Sequence, residues 1–199
     1  MEALMRGAHR ATRWCTWFGG ALILLAAFLI GIDVVLRKFF STSIGGADEL
    51  AGYALAIATA WSLAAALLAR AHIRIDSLYG LLPLRLRLLL DFLGLALFIG
   101  YFGLIARHGW NVVLQSWHAG SRSQSALQIP TVIPQAIWIL GLALFVIIGA
   151  LLFAHALRLV LRGRSGEATR AVSTRSTQED VAEEVRDVEA RRSLESGLR

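Results

Sequence analysis

Hydrophobic positions along the chain gather into four long runs, and after Arg164 they thin out. The runs cover about residues 14–36, 48–69, 86–107 and 134–161. Each has roughly the 20 residues an α-helix needs to cross the hydrocarbon core of a bilayer. The pattern predicts an all-α membrane protein with four transmembrane helices. The first run exceeds the apolar core of a cleaved signal peptide and ends in Arg37-Lys38, so it reads as an uncleaved span. The third has no proline or other stop before Gly120. A helix from Leu84 to Trp117 would be roughly 50 Å long, so it must tilt or project beyond the bilayer.

The connectors carry patterns of their own. Residues 39–46 form a short loop ahead of the acidic pair Asp48-Glu49, whose charge favours a helix start because first-turn N–H groups are partly positive. Residues 70–77 alternate Arg70, His72, Arg74 and Asp76 with small or apolar positions. Period two suggests an extended segment at the membrane interface, either a docking surface or a solvated connector. Pro83 suits the start of the third helix. The 118–129 loop is polar and serine-rich. In the 165–199 tail, Ser176-x-x-Glu179 looks like a capping box, and Val181, Val185 and Val188 make a thin stripe. That mass is too small for a domain, and a disordered cytoplasmic tail with transient helix is expected.

The composition agrees with these spans: 56% of residues are hydrophobic and the mean hydropathy is +0.60. A pI near 10.6 would suggest nucleic acid in a soluble protein. Here the bases sit at the ends of apolar runs, where they set topology, and nucleic acid is not expected as a partner. Arginines cluster in residues 1–13, 70–87 and 158–164, against Arg37, Lys38, Arg107 and Arg122 at the opposite ends. The positive-inside rule then places both termini in the cytoplasm, with residues 1–13 as a cytoplasmic lead into the first span. A single cysteine, Cys15, excludes an intrachain disulfide.

Candidate chemistry is sparse. Asp33 and Arg37 are spaced for an i,i+4 ion pair, and Arg87 and Asp91 likewise. On the second span, Gly52, Ala56, Ala60 and Ala64 form one row of small residues; Ala54, Ala58, Ser62 and Ala66 form another. Small residues let helix backbones approach closely in lipid, so two rows suggest neighbours on both sides, although an alanine-rich composition can produce rows by chance. Trp61 lies on the bulky ridge between them. A phosphate-binding loop and a dinucleotide fingerprint are both missing from the sequence. The histidines (His9, His72, His108, His118 and His155) are not placed for paired haem ligation. No span has a central proline or a central unpaired charge, the usual pointers to a transport site. No cofactor, metal site or catalytic residue is expected. The chain reads as an accessory subunit, the rival being a stand-alone four-helix protein such as a haem-binding redox carrier.

Several stretches of the chain resemble a known family. Asp48-Glu49-Leu50-Ala51-Gly52-Tyr53, Trp61, Ala71-His72-Ile73-Arg74-Ile75-Asp76 and Leu82-Pro83 are similar to the small membrane subunit of tripartite ATP-independent periplasmic (TRAP) transporters. Ser125-Ala126-Leu127-Gln128-Ile129-Pro130 resembles that family's entry to its fourth helix. Gly45-Gly46 stands where an aromatic residue is often found before the acidic pair. The resemblance covers about residues 14–160. It implies a non-catalytic subunit in the bacterial inner membrane that scaffolds a large permease subunit. A periplasmic binding protein would deliver the solute, usually a carboxylate, and an ion gradient would drive uptake. Asp48, Glu49, Tyr53, Trp61, His72, Arg74 and Asp76 are the residues it suggests for contacts with those partners.

Overall fold

A computed structural model describes residues 2–69, 82–164, 166–168, 185–186 and 188–189. Four helices make up the described chain: α1 (Glu2–Phe40), α2 (Ala47–Leu68), α3 (Leu84–His118) and α4 (Val132–Leu161). Each is long and apolar enough to cross a membrane. The alternating segment with His72, Arg74 and Asp76, the capping box and most of the tail lie outside the described residues.

The helices overrun the hydropathy runs at several ends. α1 begins at Glu2 rather than near Trp14, because hydropathy marks a membrane boundary and nothing between those residues stops a helix. It ends at Phe40, where Ser41 turns left-handed (φ 50°), so the connector is shorter than residues 39–46. Arg37 and Lys38 thereby fall in its last turn, opposite in sign to the exposed carbonyls there. α3 runs unbroken for 35 residues, roughly 50 Å, as the missing stop signals predicted. Pro83 caps it: the Pro83 carbonyl accepts the Leu86 and Arg87 amides at 2.9 and 3.1 Å. α4 starts two residues before Pro134, which is tolerated in a first turn whose N–H groups lack helical partners anyway.

The four helices form a layer one helix thick rather than a closed bundle. α2 packs on α1 to one side and α4 to the other, α3 packs on α4, and α1 meets α4 only marginally. The spatial order is therefore α1, α2, α4, α3. The two inner helices hold most of the buried residues, including Ala58, Ala60, Ala64, Phe145 and Ile148. α1 and α3 expose apolar side chains along their length, such as Leu24, Phe28, Leu97 and Leu104.

Each seam has its own chemistry. Between α1 and α2 the small residues meet: a Cβ on Gly19 would lie 2.9 Å from the Ser62 hydroxyl and 3.1 Å from the Ala58 carbonyl. Between α3 and α4 aromatic rings interlock edge to face, Phe92 with Phe153 at 5.1 Å and Phe102 with Phe145 at 4.9 Å. Such pairs add to simple contact because ring edges are positive and faces negative. The α2–α4 seam centres on Trp61, whose indole N–H donates to the Ile137 carbonyl at 2.8 Å. Its ring lies against Gly141, where any Cβ would collide with it, and its other side meets Phe18 of α1 at 5.2 Å. One side chain thus ties three helices together.

A candidate docking site at the clasped end of the layer

At the end of the layer where α1 stops and α2 starts, the chain folds back on itself around Asp33. This carboxylate is only 1% exposed although its helix is mostly bare. It accepts the Ser43 hydroxyl at 2.9 Å and the Ile44 amide at 2.7 Å, and it pairs with Arg37 one turn on. Three donors around a buried carboxylate are what make its burial tolerable. Arg37 also approaches Asp48 at 3.6 Å, so the pair bridges the last turn of α1 to the first turn of α2. The i,i+4 spacing suggested the ion pair; Ser43 and the Ile44 amide carried no signal of their own in the sequence.

The second half of the site joins α2 to the connector before α4. Glu49 accepts the Tyr53 hydroxyl at 2.6 Å, and the Ser125 and Ser123 hydroxyls, 3.3 Å from each other, lie beside its carboxylate. The connector is held as a compact turn. Ser123 N–H donates to the Ile129 carbonyl, Thr131 N–H to the Ser121 carbonyl, and Arg122 pairs across to Pro130 as an isolated bridge. Gly46 adopts φ 115°, a conformation that side-chain-bearing residues rarely take. A Cβ there would sit 2.7 Å from the Leu127 side chain. The Gly45-Gly46 step therefore lets the connector lie directly over the start of α2.

Two of the segments that carry the family resemblance, around residues 48–53 and 125–130, meet in space at this end. Glu49 lies beside Ser125, and Gly46, just before α2, lies against Leu127. Asp48 projects outward, its side chain 84% exposed, while Glu49 and Tyr53 are half-buried. Asp48 is thus more exposed than Arg37, its ion-pair partner in the clasp, whose side chain is 53% exposed.

Other expected site residues fall elsewhere. Trp61 was expected among partner contacts, but its indole and ring are engaged within the chain by Ile137, Gly141 and Phe18. The row Gly52, Ala56, Ala60 and Ala64 does not form one packing face. Ala60 and Ala64 are buried, while Gly52 and Ala56 are exposed. Four-residue spacing drifts by about 40° per step on a helix of 3.6 residues per turn, which carries the row's first half away from α4. The second row, through Ala58 and Ser62, lies on α1. At the far end, Arg87 Nε donates to the Leu82 carbonyl at 2.6 Å, closing the approach to α3, and Asp91 is buried one turn later. His72, Arg74 and Asp76 cannot be placed, being outside the described residues. Among those residues, no three His, Cys, Asp or Glu side chains converge in a way that could hold a metal ion.

A family model described as tripartite ATP-independent periplasmic transporters, DctQ component, matches residues 26–159. That range begins within α1 and ends within α4, so it takes in the whole clasp and the α2–α4 and α3–α4 contacts described above, but not Phe18 and Gly19 of α1. No curated protein and no solved structure matches the chain.

Proposed function

Because the chain belongs to the DctQ family, the small membrane component of TRAP transporters, we propose that it acts as a non-catalytic scaffold. On this reading it holds a large permease subunit in the membrane and offers a docking point to a periplasmic solute-binding protein. The transported solute is a carboxylate-type anion, and an ion gradient drives its uptake.

The observation that supports the scaffold role most is the one-helix-thick layer. A closed bundle uses its apolar faces on itself; here both broad sides, and the outer helices α1 and α3, remain available to a larger membrane partner. The layer is nevertheless stiffened internally, by Trp61 at its middle and by the Asp33–Arg37–Asp48 and Glu49–Ser125 contacts at one end. A flat and stiff membrane element suits holding a partner in place. Both termini lie in the cytoplasm in this reading, which puts the clasp at the periplasmic face, within reach of a solute-binding protein.

Reconstitution tests it. Proteoliposomes holding this chain alone should take up no dicarboxylate or sugar acid under an imposed sodium gradient. Adding the large permease and the binding protein should produce uptake, and leaving out only this chain should abolish it. Uptake by this chain alone would overturn the scaffold role.

A further inference from the structure

The first 17 residues of α1 carry a second surface that the layer does not use. Successive helical residues turn by about 100°, so Arg6, Arg10, Arg13 and Trp17 fall within an arc of about 60°. All four are exposed, Trp17 at 70%, and Trp14 beside them is 72% exposed. The diametrically opposite arc holds Ala8, Thr12, Cys15 and Gly19, all buried. Packing against the layer thus fixes the helix's rotation and points the three guanidinium groups outward together. None of the three pairs with a carboxylate among the described residues.

We propose that this face binds the phosphate headgroup of an anionic glycerophospholipid, such as phosphatidylglycerol, in the adjoining leaflet. Three features favour this occupant. Guanidinium groups match phosphate oxygens with paired, planar donors. Trp14 and Trp17 sit immediately membrane-ward of Arg13, and indoles settle at the headgroup level with an apolar body and a polar N–H. The same arc then continues as Leu24 and Phe28, both exposed, along which an acyl chain can lie. Topology-setting arginines need only lie on the correct side of the membrane. Their alignment on one exposed arc, opposite the packed one, is a stronger demand, and headgroup binding accounts for it.

The test uses the full chain purified in dodecyl maltoside and analysed by native mass spectrometry. Phosphatidylglycerol and phosphatidylcholine of identical acyl chains are added in equal amounts, with glycerol 3-phosphate in a separate arm. Phosphatidylglycerol adducts should exceed phosphatidylcholine adducts by about tenfold, given the attraction of each base near an anionic surface. The triple substitution R6Q/R10Q/R13Q should erase that preference, while R158Q/R162Q, at the other cluster of this end, should keep most of it. Thermal unfolding without added lipid should be alike for the unaltered chain and R6Q/R10Q/R13Q, since these three arginines are exposed and pair with no carboxylate among the described residues. Equal adducts of the two lipids on the unaltered chain would overturn the proposal. So would a preference that survives R6Q/R10Q/R13Q, or one that glycerol 3-phosphate at millimolar concentration removes, which would mark a free-phosphate site.

Discussion

The indole of Trp61 and the carbonyl of Ile137 lie 2.8 Å apart, and the two residues are 76 positions apart in sequence. Further along the seam Gly141 lies against Ala60 and Gly149 against Leu67, so α2 and α4 run parallel. Trp61→Phe keeps an aromatic ring there but loses the hydrogen bond and a small part of the packing, a change of about 1 kcal/mol. Gly141→Ala forces a methyl group into the indole and should cost more, about 1–3 kcal/mol. Thermal unfolding of the full chain in detergent should show this order.

At Gly46 two effects act together, a left-handed backbone and the contact with Leu127. Gly46→Ala should destabilise by about 1–3 kcal/mol through strain at positive φ together with crowding. Leu127→Ala should restore part of that loss in the double variant, because it removes only the crowding. A double-mutant cycle separates the two, and a coupling of zero would show that Leu127 does not matter at this position.

The clasp makes an ordering prediction. Asp33→Ala leaves Ser43, the Ile44 amide and Arg37 without their common acceptor. Asp48→Asn removes only an exposed and longer contact. Amide exchange at Ile44 should therefore rise strongly in Asp33→Ala, moderately in Asp33→Asn and hardly at all in Asp48→Asn. Exchange mass spectrometry of the 41–46 connector gives the readout.

Cysteine cross-linking checks the order of the layer, with Cys15→Ser as the background. Gly19→Cys should bridge to Ala58→Cys, and Ile99→Cys to Gly149→Cys, because these positions face each other across the α1–α2 and α3–α4 seams. Phe28→Cys and Leu97→Cys, on the two outer helices, should not react with each other. A bridge between them would mean that the layer closes into a bundle.

Reporter fusions address the orientation. A fusion after Ser123 should show periplasmic activity and one after Tyr79 cytoplasmic activity; the reverse would turn the whole layer over and place the clasp in the cytoplasm.

The four helices were legible because their signal is local: apolar runs of membrane-spanning length, with bases at their ends. The length of α3 was legible for the same reason, since no proline interrupts the run and its internal glycines are tolerated in a helix. The start of α1 was not, because no residue between Glu2 and Trp14 breaks a helix and hydropathy senses only the bilayer. Trp61 stands out in the sequence as a bulky residue on a small-faced helix, but sequence does not say whether such a residue meets a partner or a neighbouring helix of its own chain. The notch that decides it, Gly141, lies 80 residues further on. Asp33 and Arg37 were found because a helix puts them one turn apart, while Ser43, Ser123 and Ser125 join the site through connector conformations that no local pattern encodes. Glycine at residue 46 was the one visible trace of the contact with Leu127, as a departure from the aromatic usual there.

The position of α4 between α2 and α3 has a consequence for how the chain is made. Helices leave the ribosome in the order α1, α2, α3, α4, yet α3 packs on α4 and α2 gains its second neighbour only from α4. A nascent chain that ends before residue 132 therefore contains one complete seam, α1 with α2, and a third helix whose described packing partner has not been synthesised. The last segment to enter the bilayer is the one that joins the rest, so premature termination or loss of α4 leaves two separate pieces for membrane quality control to clear.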